Sequence, residues 1–251
     1  MLKGLFQLKE ITTKIKTPKF TLRDIIEGNV IIQKPAFSLD VENTSLAVNG
    51  CLLEIGLVFF DLADPTTVGQ FPMWDFFPDI TNQLLNGGEV DPETMAFWNM
   101  ERIASALDWQ KKNNPDRQDI FAVVDQLENQ VREFVKGLEQ VGFTEKDIYW
   151  IARGEKDYPQ LEHWFKTCRR KPICKFNRVQ DVRSMIAAYL DKPQGYTETK
   201  KYPDFMADVI RHTAIGDALM DAVDLAQARY VHLHGERALD ALISDIPPHH
   251  Q

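Results

Sequence analysis

Two apolar segments separated by a short turn constrain the fold of this 251-residue chain more than any other feature. The segments are KPAFSLDV at 34–41 and CLLEIGLVFFD at 51–61, and each is long enough for a strand. The connection includes Asn49-Gly50, which is a strong signal for a β-hairpin. The sequence therefore predicts an antiparallel pair of strands that runs through a hydrophobic core.

The rest of the chain alternates between predicted helices and strands. A third strand is predicted over 66–77, at a sheet edge, because Pro72 cannot donate a hydrogen bond to a neighbouring strand. Short strands are predicted over 147–152 and 172–176. Apolar residues at helical spacing predict helices over 92–107, 119–143, 158–168, 179–190 and 209–242. This order predicts one α/β domain, in which an antiparallel meander and βαβ units form a mixed sheet with helices on its faces.

Composition limits the class of protein. No stretch approaches 18 uncharged apolar residues, and the N-terminus lacks the apolar region of a signal peptide. Three cysteines are too few for a disulfide framework, so we expect buried thiols and a soluble, cytoplasmic protein without membrane contact. We expect a domain over 33–245, with 1–32 as an N-terminal extension and 246–251 as a tail. The sequence does not indicate an oligomeric state.

The charge distribution is uneven. A net charge of −8 argues against a protein that coats nucleic acid. However, residues 166–178 carry six basic side chains and no acidic one. Both a phosphate-binding segment and a solvated basic loop are compatible with this pattern.

Several carboxylates lie at the ends of predicted strands or at the starts of predicted helices. Asp40 and Glu42 follow the first apolar run and share one face of a strand, with Cα atoms about 6.5 Å apart. Carboxylates at this spacing suit a pair of divalent ions roughly 3.5–4 Å apart, although a D-x-E pair is also common as a solvated strand end. Asp157 follows the strand at 147–152, and His212 precedes Asp217 at the start of the last helix. Open α/β sheets place functional groups near such ends.

Three motifs in this order resemble those of the DEDDh 3′-5′ exonucleases, which have a ribonuclease H-like fold. The motifs are DVENT (Asp40, Glu42), ARGEKDYPQL (Asp157) and HTAIGD (His212, Asp217). The segments TMAFW, DYPQL and CKFNRVQDVRSM are most similar to phage exonucleases of the DexA type, and the resemblance covers about residues 35–230. Two positions depart from the family: Lys156 replaces a usual aromatic residue, and Asn43 interrupts the usual D-x-E-T-T.

The resemblance implies a fold and a mechanism. The fold is a mixed five-stranded sheet with helices on both faces. Asp40, Glu42, Asp157 and Asp217 would hold two Mg²⁺ or Mn²⁺ ions, and His212 would act as the general base. The implied activity is the release of nucleoside 5′-monophosphates from the 3′ end of a single strand. The likeness to phage exonucleases favours DNA as the substrate. If the protein is phage-encoded, its expected location is the host cytoplasm. The alternatives are an exoribonuclease and a catalytically silent nucleic-acid-binding module.

Further residues are candidates for substrate contact. They are Trp98, Lys156, Tyr158, Lys200 and Lys201. For Trp98 a core position is the first interpretation, and a position that lines the nucleotide pocket is the second. The loop at 191–205 combines tyrosines with lysines, as segments that bind single strands do.

Three more acids are candidates for supporting the site. Glu54 interrupts an apolar strand, where it either supports the site or faces a wet sheet edge. Asp181 is expected to orient a neighbour such as Arg183. Asp221 lies one helical turn after Asp217, where it is either a helper or part of a solvated face.

Overall fold

The computed structural model describes residues 18–193, 195 and 209–244. Its strands are β1 (Pro35–Asn43), β2 (Leu52–Asp61), β3 (Met73–Phe76), β4 (Tyr149–Ala152) and β5 (Val179–Asp181). They form one sheet in the order β3-β2-β1-β4-β5. β1 and β3 are antiparallel to β2, whereas β4 is parallel to β1 and β5 is parallel to β4. The prediction of a mixed five-stranded sheet, with an antiparallel meander followed by parallel strands, is confirmed.

The helices cover both faces of this sheet. They are α1 (Leu22–Ile26), α2 (Ile80–Leu85), α3 (Pro92–Trp98), α4 (Ala104–Lys112), α5 (Ile120–Gln140), α6 (Asp157–Thr167), α7 (Val182–Leu190), α8 (Ala214–His234) and α9 (Glu236–Ser244). Residues of α5 and α6 share one core cluster with the sheet, and residues of α7 and α8 share the other. The prediction of helices on both faces is confirmed.

Alternation along β1 decides which side chains meet which helices. Phe37, Leu39 and Val41 lie in the core cluster of α5 and α6. Because successive side chains of a strand point to opposite faces, Asp40 and Glu42 share the face that α8 covers. The two acids are thereby directed toward the start of α8.

Gly56 allows α8 to lie close to this part of the sheet. It pairs with Asp40 across the β1–β2 ladder. A Cβ at this position would come within 2.3 Å of backbone atoms of Ala214 and Ile215, the first residues of α8. Only a glycine at position 56 therefore lets the N-terminus of α8 approach β2 beside Asp40.

Some predicted boundaries are wrong. The strand expected at 172–176 is irregular, and β5 lies at Val179–Asp181 instead. In this segment Ile173 and Cys174 are buried in the core, so its apolar residues reflect packing and not strand pairing. The last long helix is two helices, because Gly235 between α8 and α9 has a φ of 85°. The helix expected at 92–107 is likewise divided into α3 and α4 by a 3₁₀ turn.

Several expectations concern the chain ends and the compartment. Residues 18–32 include α1, which packs on α5, and Ile25 and Ile32 belong to the core cluster of β1. Residues 1–17 and the tail at 246–251 lie outside the described residues. The three cysteines are free and buried, as expected. Within the described ranges, no helix is both long and apolar enough to cross a bilayer.

Candidate active site

Four acids and a histidine meet beyond the ends of β1 and β4. Asp40 and Glu42 lie near the end of β1, and Asp157 is the first residue of α6, shortly after β4. His212 precedes α8, and Asp217 lies in its first turn. Oxygen or nitrogen atoms of Glu42, His212 and Asp217 lie within 4.8 Å of one another. The charges of Glu42, Asp157 and Asp217 each raise the pKa of Asp40, so all four carboxyls share one electrostatic environment.

The backbone around His212 is built to hold this geometry. His212 has a φ of 58°, which is uncommon for a residue with a side chain. Its N–H donates to Asp217 Oδ2 over 3.2 Å, and its ring packs edge-on against Phe97. The next residue, Thr213, caps α8 by accepting the N–H of Gly216 over 3.2 Å. The strained turn and the helix cap together place the imidazole beside the carboxylates.

Crowding of these carboxyls disfavours their charged forms. Burial is the main cause that raises the pKa of Asp40 and of Glu42 well above the ordinary range, and the neighbouring acids add to the effect. Burial, followed by the charges of Asp221 and Asp217, raises the pKa of Asp157 to about 7. Hard oxygen donors with an adjacent imidazole are suitable ligands for Mg²⁺ or Mn²⁺. A divalent cation would favour the charged forms of these carboxyls and so offset both the cost of burial and their mutual repulsion.

Glu54 lies beside the acid cluster and connects β2 to the helices around it. It pairs with Glu42 across the β1–β2 ladder and is fully buried, so the interpretation as a wet-edge residue is wrong. Glu54 Oε1 accepts the N–H of Ile215, at the start of α8, over 3.2 Å. Its Oε2 accepts hydrogen bonds from Trp109 and Gln110 of α4. Burial raises the pKa of Glu54 to about 7. This carboxyl therefore ties α4 and α8 to β2.

Asp221 and Asp181 hold the loop that leads to Asp157. Asp221 is 2% exposed and binds the guanidinium of Arg153, so it does not belong to a solvated face. Its Oδ2 is buried without a hydrogen-bond partner among the described residues, and burial raises its pKa to about 6. Asp181 caps α7 and accepts the N–H of Gly154 over 2.8 Å, whereas its distance to Arg183 is 3.8 Å. Asp181 thus positions the backbone before Asp157 more directly than it orients Arg183.

Two predicted substrate contacts are instead core residues. Trp98 is 2% exposed, and its Nε1 donates to the carbonyl of Asn43 at the end of β1 over 3.0 Å. Tyr158 is equally buried, and its hydroxyl donates to the carbonyl of Cys174. Since α3 and α6 turn these rings into the interior, neither ring offers a face to a substrate.

The predicted lysine contacts have different outcomes. Lys156 is exposed directly before Asp157, and its contact with substrate stays a prediction. Lys200 and Lys201 lie outside the described residues.

The structure adds two residues that the sequence did not single out. Arg211 Nε lies 2.6 Å from Asp217 Oδ1. Gln160 of α6 donates to the carbonyls of Ser45 and Ala47 over 2.8 and 2.7 Å, which fixes the loop after β1. The position of Arg211 next to His212 was a usable signal, whereas nothing local in the sequence indicates the contacts of Gln160.

One family model and a solved structure are similar to this chain. The family model "Rv2179c-like: 3′-5′ exoribonuclease Rv2179c-like domain" matches residues 36–230. Among solved structures, cell-death related nuclease 4 (CRN-4) is similar, with 13% sequence identity and a TM-score of 0.45. That similarity covers 80% of this chain but only 64% of the CRN-4 chain, which is less than two thirds of its length. No curated protein matches the chain.

Proposed function

Because the chain belongs to the family of Rv2179c-like 3′-5′ exoribonuclease domains, we propose that it is a metal-dependent exonuclease of the DEDDh type. It removes nucleoside 5′-monophosphates from the 3′ end of a single strand. The observation that supports this function best is the convergence of Glu42, His212 and Asp217 within 4.8 Å, in one electrostatic environment with Asp40 and Asp157.

Asp40, Glu42, Asp157 and Asp217 would hold two Mg²⁺ or Mn²⁺ ions. When bound, such a pair activates the attacking water and stabilises the leaving 3′ oxygen. The carboxylates act as ligands in their charged forms, so the raised pKa values of Asp40, Glu42 and Asp157 mean that binding releases protons.

His212 is proposed as the general base. An imidazole nitrogen of His212 takes the proton of the attacking water. The hydrogen bond from its backbone N–H to Asp217 holds the backbone in place, and the edge-on contact with Phe97 orients the ring. For His212→Ala we expect the cleavage rate to fall by about 10²–10⁴-fold, because a positioned base contributes that much. The affinity for Mn²⁺ should change far less. A rate close to that of the wild type would contradict this role.

RNA is the first candidate substrate, because the matched family is described as exoribonuclease domains. DNA is the second candidate. It is favoured by the segments TMAFW and CKFNRVQDVRSM, which resemble phage DexA-type exonucleases. The choice depends on contacts to the 2′-hydroxyl group in the substrate pocket.

One experiment tests polarity, sugar and metal dependence together. RNA and DNA of one sequence, labelled at the 5′ end, are incubated with Mg²⁺, Mn²⁺ or EDTA. We expect a ladder that shortens from the 3′ end, nucleoside 5′-monophosphate as product, and no cleavage in EDTA. Asp217→Asn is the matched inactive variant. The proposed function would be contradicted if the strands stayed intact under every condition, or if they were cleaved as fast in EDTA as in Mg²⁺ or Mn²⁺.

A further inference from the structure

Arg211 is a cation at the rim of the acid cluster. Its Nε donates to Asp217 Oδ1 over 2.6 Å, while Asp217 Oδ2 accepts the N–H of His212 over 3.2 Å. The side chain of Arg211 is 55% exposed, whereas that of Asp217 is 18% exposed. Burial raises the pKa of Glu42, and the nearby charge of Arg211 opposes that rise. The guanidinium therefore lies at the surface, in contact with Asp217 and near Glu42.

A second arginine at the site is bound differently. Arg153 binds Asp221 through both Nε and Nη2, and its side chain is 25% exposed against 3% for Asp221. Because both donors reach one oxygen of a buried carboxylate, this contact is a structural ion pair. Arg211 makes a one-point contact at the surface, and exposed pairs of this kind contribute little to stability. Arg211 is therefore free to exchange partners at low cost.

A divalent cation and Arg211 would compete for Asp217. The oxygen that Arg211 contacts belongs to a proposed metal ligand, and two cations on one carboxylate repel each other. A displaced guanidinium would still lie at the entrance of the site. The substrate strand that enters there carries negatively charged phosphate groups in its backbone. The planar donor set of arginine matches a phosphate group.

We propose that Arg211 exchanges partners during the reaction, from Asp217 to a backbone phosphate of the substrate strand, when a divalent ion binds Asp217. This inference rests on the proposed function. It makes Arg211 a substrate-binding residue that couples metal binding to strand binding. Removing Arg211 then has opposite effects on the two affinities: metal binds more tightly, and the strand binds more weakly.

The first measurement needs no turnover. Mn²⁺ is titrated by calorimetry into the full chain as wild type, Arg211→Ala and Arg132→Ala. Arg132 is the matched control, since it is also a partly exposed arginine in a one-carboxylate pair, with Glu128 on α5. We expect Arg211→Ala to bind Mn²⁺ about two- to fivefold more tightly, because an exposed ion pair no longer competes. Arg132→Ala should bind Mn²⁺ as the wild type does.

The second measurement follows strand binding. The affinity for a fluorescent RNA octamer with cleavage-resistant phosphorothioate linkages is measured between about 50 and 200 mM salt, in Mn²⁺ and in EDTA. In Mn²⁺, loss of one phosphate contact should reduce the slope of log K against log salt by about 0.7 in Arg211→Ala. In EDTA the slope should equal that of the wild type. Arg211→Lys, which keeps the charge, should retain the wild-type slope in both.

Two results would contradict the proposed exchange of partners by Arg211. Unchanged or weaker Mn²⁺ affinity in Arg211→Ala would overturn it. An equal loss of slope in Mn²⁺ and EDTA would also overturn it, because Arg211 would then contact phosphate without leaving Asp217. Failure of the proposed function is distinguishable: strands would stay uncut in the cleavage assay, while the gain in Mn²⁺ affinity would still be present.

Discussion

The two ends of the β1–β2 hairpin contain buried acids in opposite circumstances. At one end, Asp61 is 1% exposed and accepts the N–H groups of Gln33, Lys34 and Ala63 over 2.8–2.9 Å. At the other end, no N–H of the described residues is hydrogen-bonded to the carboxylates of Asp40 and Glu42. Buried charge is tolerated where donors surround it. Asp61 has its donors in the backbone, whereas burial raises the pKa values of Asp40 and Glu42, the acids that we propose as metal ligands.

The largest effect is expected at the end of the hairpin that contains Asp40, where one substitution should lower activity and raise stability. Asp40→Asn removes a proposed metal ligand, so we expect cleavage to fall by about 10³-fold or more, since metal stabilisation supplies several kcal/mol. In EDTA near pH 7.5 the same variant should melt at a higher temperature than the wild type, because repulsion among the acids is relieved. Cleavage assays and thermal melts check both. A lower melting temperature with full activity would reverse the comparison.

The opposite result is expected at the other end of the hairpin. Asp61→Ala leaves the N–H groups of Gln33, Lys34 and Ala63 without their acceptor. We expect a loss of about 2–4 kcal/mol in the free energy of unfolding, with Mn²⁺ affinity retained at temperatures where the protein is folded. Denaturant unfolding and calorimetry measure the two quantities. Weakened Mn²⁺ binding by the folded variant would show that the two ends are not independent.

Glu54 shares a feature with each end of the hairpin. Like Asp61 it accepts hydrogen bonds, but it also lies next to Glu42 in the acid cluster. Glu54→Gln keeps an acceptor for Ile215 and resembles the protonated acid, so we expect about a tenfold loss of metal affinity or rate at most. Glu54→Leu removes the acceptor from Ile215, Trp109 and Gln110, and should lose more of both activity and stability. If the two variants proved equally active and stable, the proposed tie between β2 and α8 would be wrong.

The smallest expected effect is a dependence of stability on pH. The folded-state pKa of Asp157 is about 7, above its ordinary value of 3.8, so between these pH values the folded protein keeps a proton that the unfolded chain has lost. Stability in EDTA should therefore decrease as pH rises from about 4 to 7. We expect melting temperatures several degrees lower at pH 7 than at pH 5, a shallower decrease in Asp157→Asn, and recovery when Mn²⁺ is added. A melting temperature that rises over this interval would contradict the assignment.

Errors in the sequence-based predictions have a common physical cause. Tyr158 flanks the Asp157 motif and is a candidate for substrate contact, but its ring is buried in the core. The segment at 172–176 has strand-like composition, yet its residues fill a core and do not pair with β4. Composition records that a side chain is apolar, and it does not record which neighbour covers it.

The sequence alone determined the α/β class, the antiparallel pairing of β1 with β2, and the five residues proposed for chemistry, because turn signals, apolar periodicity and motif spacing are local properties of the chain. Only the tertiary structure decided what surrounds these residues. The hydrogen bond from Ile215 to Glu54 joins positions 161 residues apart, and that from Arg153 to Asp221 joins positions 68 residues apart. Contacts of this kind depend on how the helices pack against the sheet, and no local pattern encodes them.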